Sequence, residues 1–208
     1  MGVVVFGAGG RVGQRVVEYA LEAGHEVRAV VRNKGQLPFS KTKMLHIDLG
    51  DVMAPLVTQT VLRGADVVVS AIGNRLYDDG ITLRTDATRQ ILEGMNVHGV
   101  PRFVLVSAAG VLPYKPGILR GEFYVEPGFE SVFADHKGAW QLVEASGIDY
   151  TLACPPKMTT GMRLRNYRRE VDLLPEGGRE ISPEDVADFI VETLGASDYS
   201  RTRVGLAY

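Results

Sequence analysis

Apolar positions along the chain fall into two alternating rhythms. Residues 3–6 (Val-Val-Val-Phe) form an unbroken apolar run, the pattern of a strand covered on both faces. Residues 12–23 then place Val12, Val16, Val17, Ala20 and Leu21 on one stripe of a helix. Gly24 follows, where a helix end favours glycine. The alternation continues, predicting strands at 27–31, 44–47, 67–70, 102–106 and 150–153 and helices at 82–97 and 132–145. Near the end, Ser182-Pro183-Glu184-Asp185 reads as a helix start, with Ser182 as N-cap and Pro183 at the first helical position. It predicts a helix over 184–194 and a last strand over 202–207.

Strands alternating with helices imply α/β architecture: a doubly wound parallel sheet with helices on both faces. The expected strand order is the Rossmann 3-2-1-4-5-6, with right-handed crossovers. Such sheets take ligands at the carboxyl ends of their strands, where the order reverses. The residues to watch therefore follow Phe6, Val31, Ile47, Ser70, Val106 and Ala153. Two segments break the rhythm. Residues 108–131 hold three prolines and four glycines, and a connection this long is uncommon unless it has a function. Residues 159–181 are polar and arginine-rich and are expected to form a small hairpin, a C-terminal appendage. Both are expected as substrate-side walls over the carboxyl edge.

The length of 208 residues suits a single domain, 1–208. The one cysteine, Cys154, excludes an internal disulfide framework. A net charge of −2 gives no reason to expect nucleic acid or an anionic membrane as partner. No apolar stretch approaches the roughly 18 residues of a membrane helix, and no basic-then-apolar leader precedes the first strand. The expected location is the cytoplasm. His25, His46 and His98 are too dispersed to suggest a metal site, and none is expected.

The chemistry concentrates in Gly7-Ala8-Gly9-Gly10-Arg11-Val12-Gly13, between the first strand and the first helix. Gly7 permits the tight turn, Gly10 lets backbone approach a pyrophosphate, and Gly13 allows helix to pack on strand. The helix start then offers free N–H groups and a positive dipole end to phosphates. At the end of the second strand stands Val30-Val31-Arg32-Asn33-Lys34, with no acidic residue for a ribose 2′-hydroxyl. Arg32 suits a 2′-phosphate instead, and Arg11 adds a second cation. The expected cofactor is NADP(H), with NADPH preferred over NADH. Its expected contacts are Gly7, Gly9, Gly10, Arg11, Val12, Gly13, Arg32, Asp48, Leu49, Ala71, Ile72, Gly73, Arg75, Ser107, Ala108, Cys154 and Pro155. Asp48 either meets the adenine or caps the following turn, and the small residues of Ala71-Ile72-Gly73 let backbone pass close to a ribose.

The glycine turn, Val30-Val31-Arg32, His46-Ile47-Asp48, Ser70-Ala71-Ile72-Gly73, Val106-Ser107-Ala108-Ala109 and Ser146-Gly147-Ile148-Asp149-Tyr150-Thr151 together resemble the atypical short-chain dehydrogenase/reductase superfamily. Asp135-His136, Cys154-Pro155-Pro156 and the final Tyr208 make the chain most similar to its biliverdin reductase B / flavin reductase group. Most dehydrogenases and epimerases of the superfamily use a Tyr-x-x-x-Lys pair. Aligned on Ser146-Gly147, those positions here hold Val132 and His136. The resemblance therefore implies an NADPH-dependent reductase that passes a hydride to a flavin, a bilin or a similar anionic conjugated acceptor. Candidate catalytic residues are Ser107, His136 and Lys157, the last standing where that group carries a second histidine. Two alternatives stay open: a non-enzymatic NADP(H)-binding sensor or regulator, which alone would call for a protein partner, and a sugar epimerase or dehydratase with an unusual base.

Overall fold

A computed structural model describes residues 1–38, 40–73 and 82–208. In chain order it forms β1 (Gly2–Phe6), α1 (Arg11–Glu22), β2 (Glu26–Val31), β3 (Leu45–Leu49), α2 (Pro55–Leu62), β4 (Val67–Ser70), α3 (Leu83–His98) and β5 (Arg102–Val106). An excursion follows, built from β6 (Pro113–Lys115), β7 (Ile118–Leu119) and α4 (Arg120–Phe123). The chain continues with α5 (Glu130–Ala145), β8 (Asp149–Cys154), β9 (Lys157–Met158), β10 (Arg168–Val171), β11 (Glu180–Ile181), α6 (Pro183–Glu192) and β12 (Thr202–Ala207).

Eight strands make the main sheet, in the order β10-β12-β8-β5-β4-β1-β2-β3. Read from β3 to β8, this is the doubly wound order expected from the sequence, extended by β12 and an edge strand. All pairings are parallel except β10 with β12. Strand alternation builds two cores. Val3 and Val5 face α1 and α6 with Val16, Val17, Phe189 and Ile190. Val4 and Phe6 face the other layer, with Ile91, Met95, Phe103, Leu105 and Val143 from α3, β5 and α5. Burial on both faces is why β1 and β4 read as unbroken apolar runs.

The expected element boundaries hold to within a few residues. Gly24, at φ +80°, follows the end of α1 as expected, and Ser182 Oγ accepts the Asp185 N–H at 3.0 Å as the N-cap of α6. Two elements depart from expectation. The sequence reading has no helix at α2, whose Leu56 is 77% exposed and breaks the apolar stripe. The arginine-rich segment 159–181 is also not a simple hairpin over the carboxyl edge. Its β10 joins the main sheet antiparallel to β12, and only β9 and β11 pair beyond the end of β8, in parallel.

The arginines of that segment hold the fold. Arg163 Nε donates to Asp188 Oδ1 at 2.6 Å, and its guanidinium lies 3.7 Å over the Tyr19 ring of α1. Arg165 Nε donates to the same buried carboxylate at 3.0 Å. Arg169 pairs with Glu192, and Arg168 donates to the carbonyls of Glu176 and Tyr208. Two cations and the Tyr167 hydroxyl thus converge on Asp188.

Candidate functional site

The three spaced glycines have separable roles. Gly7 sits at φ +73°, and a Cβ there would come within 2.6 Å of the Ala71 backbone leaving β4. A Cβ on Gly13 would overlap the Gly7 carbonyl, so Gly13 lets α1 press onto the turn. Gly10 is different: its nearest atom would be the Gly7 carbonyl oxygen at 3.3 Å, with otherwise only the Ala71 oxygen at 3.8 Å. The protein itself therefore leaves space in front of Gly10, the N-cap of α1. Among the described residues no side chain caps this helix, and its first turn carries no acidic residue. Among the described residues the N–H groups of Arg11, Val12 and Gly13 have no acceptor. Bare donors at a helix start, beside a glycine whose Cβ would fill the cradle, fit a pyrophosphate.

Next to this cradle, Arg32 follows β2 exposed, and its guanidinium has no ion-pair partner among the described residues. Asp48, at the end of β3, lies 3.5 Å from Arg28 Nε, and its Oδ2 has no hydrogen-bond partner among the described residues. Leu49 beside it is 49% exposed. On the other side of the strand reversal, Ala71 N–H donates to the Phe6 carbonyl at 2.9 Å, bringing Ala71, Ile72 and Gly73 against the glycine turn. Arg75 and the side chain of Lys34 lie outside the described residues.

Farther along the carboxyl edge, Ser107 N–H donates to Ala153 O and Ala109 N–H to Pro155 O, both at 2.8 Å. The segment after β5, with Ala108, thus runs beside Cys154 and Pro155. Cys154 is fully buried; its Sγ lies 3.7 Å from the Leu152 carbonyl oxygen, and burial pushes its thiol pKa up. Ser107 Oγ lies 3.3 Å from Nδ1 of His136 on α5, with the two residues 3% and 8% exposed. Burial first, and then the nearby Arg84 cation, hold the imidazole well below its ordinary pKa, so it is neutral near pH 7. Lys157 starts β9, exposed and without a side-chain partner among the described residues.

The sheet order places these residues in one row: Asp48 and Leu49, Arg32, the glycine turn, Ala71–Gly73, Ser107 and Ala108, then Pro155. At about 4.8 Å per strand, the row from β2 to β5 spans roughly 14 Å, enough for an extended dinucleotide across the switch point.

Four further residues at this edge were not expected as site residues. Asp135, 2% exposed on α5, accepts the N–H groups of Arg84 at 2.9 Å and Thr85 at 2.8 Å, capping α3 from a neighbouring helix. Arg84 returns its Nη1 to Asp135 at 3.3 Å, and its Nη2 would stand 3.7 Å from a Cβ on Gly73. Gln14 and Gln36 join the glycine turn to the segment after β2. The Asp135-His136 pair was visible only as part of a family likeness; nothing local in the sequence marks the other three.

The fold is a Rossmann-type doubly wound sheet with a bare, glycine-rich helix start at its strand reversal. The chain belongs to the NAD(P)H-binding family, which matches residues 7–197. It is 30% identical over 201 residues to an uncharacterized chloroplastic protein of Arabidopsis thaliana, covering 92% of this chain and 71% of that one. Its structure is similar to a proposed epimerase from Bacteroides thetaiotaomicron, with TM-score 0.83, 28% identity, and coverage of 100% of this chain and 96% of that one. It shares its fold with a proposed NADH-flavin reductase from Streptococcus pneumoniae TIGR4, with TM-score 0.84, 24% identity, and coverage of 100% and 99%. Some relatives are much longer: the chain spans 42% of Protein TIC 62 of Pisum sativum. Among the described residues, no helix is long and apolar enough to cross a membrane.

Proposed function

We propose that the chain is an NADPH-dependent reductase that passes a hydride to a flat conjugated acceptor, a flavin or a bilin. The observation that carries this reading is the buried Ser107–His136 pair. His136 takes the lysine position, and Val132 the tyrosine position, of the Tyr-x-x-x-Lys pair with which related enzymes that interconvert alcohols and ketones exchange a proton with substrate. A neutral imidazole bonded to a serine offers hydrogen bonds that orient an acceptor. Flavins and bilins suit such a site, because solvent can deliver the proton that follows the hydride. When bound, the nicotinamide supplies the hydride. The first-turn N–H groups of α1 hold the pyrophosphate, and Arg32 pairs with the 2′-phosphate. Lys157 attracts a carboxylate or phosphate on the acceptor. The fold shared with a proposed flavin reductase supports the acceptor class, although that protein is named for NADH.

The likeness to a proposed epimerase favours a second reading, epimerisation. The test is oxidation of NADPH, followed by its absorbance, with FMN, riboflavin and biliverdin as acceptors, repeated with NADH and with Arg32→Ala. Turnover that prefers NADPH, with the preference lost in Arg32→Ala, supports the reductase and the role of Arg32. Tight binding of NADPH without turnover of any acceptor sinks the reductase reading in favour of a redox sensor. A tightly retained NAD favours the epimerase.

A further inference from the structure

Arg32 sits on a loop, and a loop cation selects a 2′-phosphate only if its position is fixed relative to the pyrophosphate. Two glutamines supply that fixation. Gln14, in the first turns of α1, donates its Nε2 to Gly9 O at 3.2 Å and to Gln36 O at 2.7 Å. Gln36 in turn accepts on Oε1 the backbone N–H groups of Arg32 at 3.1 Å and Asn33 at 3.2 Å. Its own N–H donates to Asn33 O at 3.1 Å, closing a short turn over residues 33–36. The partners fix both amide orientations: Gln14 faces only carbonyls and Gln36 Oε1 faces only N–H groups. Packing reinforces the bonds, since a Cβ on Gly9 would lie 2.6 Å from Gln36 Cβ. Gly9 therefore makes room for the loop to seat against the glycine turn.

We propose that Gln14 and Gln36 form a clamp that sets Arg32 against the glycine turn and so determines the preference for NADPH over NADH. The clamp joins the two halves of the dinucleotide cradle through side chains 22 residues apart. It rests on the reading of Arg32 as the 2′-phosphate ligand. The residues act by positioning, and the reacting end of the site lies three strands away.

The test measures dissociation constants by calorimetry for NADPH, NADH, 2′,5′-ADP and 5′-AMP, without any turnover. The proteins are wild type, Gln14→Met, Gln36→Ala, Arg32→Ala and the double variant Arg32→Ala/Gln36→Ala. In each glutamine variant, NADPH and 2′,5′-ADP are expected to bind about tenfold more weakly. NADH and 5′-AMP are expected to stay within about twofold, well under that tenfold step. The double variant should bind NADPH no more weakly than Arg32→Ala, because the clamp acts through that arginine. If wild type prefers NADPH and Arg32→Ala abolishes the preference while both glutamine variants keep it, the clamp is overturned and the role of Arg32 stands. If wild type shows no preference, the reading of Arg32 falls and the clamp with it. Equal weakening of all four ligands also overturns the proposal, since it marks general loosening of the turn.

Discussion

At the residue scale, the glycine turn separates structure from binding. The Gly13→Ala methyl would overlap a backbone carbonyl that cannot move without disturbing β1 and α1. Such overpacking costs about 1–3 kcal/mol, or roughly 2–4 °C of melting temperature per kcal/mol in a domain this size. Gly10→Ala meets only the Gly7 oxygen at 3.3 Å and is expected to melt within about 2 °C of wild type, under 1 kcal/mol. It should nevertheless lose NADPH affinity, because its methyl fills the cradle. Melting curves and NADPH titrations on the two variants check this, and a Gly10→Ala protein with unaltered affinity would remove Gly10 from the site. His136 carries a pH signature. Its folded pKa lies below the ordinary value of 6.5 because of burial and Arg84. The unfolded chain therefore binds that proton more readily. The contribution to stability is fully present above pH 6.5 and falls as the pH drops through 6.5 toward the folded pKa. Wild type should lose up to about 1.4 kcal/mol per pH unit there from this group, while His136→Gln, which keeps a polar partner for Ser107, should lack that component. Urea unfolding of both proteins at several pH values decides it; parallel slopes would show that the imidazole is not held neutral.

At the element scale, α3 depends on a carboxylate from α5. Its own N-cap, Thr82, makes no side-chain cap bond, and Asp135 receives two of the first free N–H groups together with the Arg84 guanidinium. Asp135→Ala strips the cap and leaves Arg84, with an 11% exposed side chain, without an ion-pair partner among the described residues. Loss of one partner of a buried pair costs about 3–5 kcal/mol. Arg84→Met leaves the carboxylate its two backbone donors and should cost less than half as much. Chemical denaturation of both variants tests this ordering, and equal losses would show that the ion pair, not the cap, carries the stability. Strands β1, β4 and β5 were legible because local apolar runs announce burial on both faces, and the glycine turn because its spacing is local. The Asp135 cap joins residues about 50 positions apart, a contact that no local pattern records. Strand β10 escaped for another reason: all four of its residues are exposed and two are arginines, so it gains its place from pairing with β12 and not from an apolar face.

At the scale of the whole molecule, the proposed site belongs to neither half of the sheet alone. The cradle and Arg32 lie on the β1–β2 side of the reversal, and Ser107 and His136 lie on the β4–β5 side. The seam is held by close backbone contact of Gly7 with Ala71 and by the Ala71 N–H to Phe6 bond. A dinucleotide that spans this seam binds the folded chain only, so it must stabilise the whole domain and not one loop. At a hundredfold excess over its dissociation constant NADPH contributes about 2.7 kcal/mol. For a domain of this size that is a rise of roughly 5–10 °C in melting temperature. At the same concentration NADH should give a smaller rise, by the share that Arg32 holds, and 2′,5′-ADP, which stays on one side of the seam, a smaller rise still. Thermal scans with the three ligands at matched concentration give the order directly. If 2′,5′-ADP stabilised as much as NADPH, the nicotinamide half would be making no contact across the reversal, and Ser107 and His136 could not be lining the reacting end.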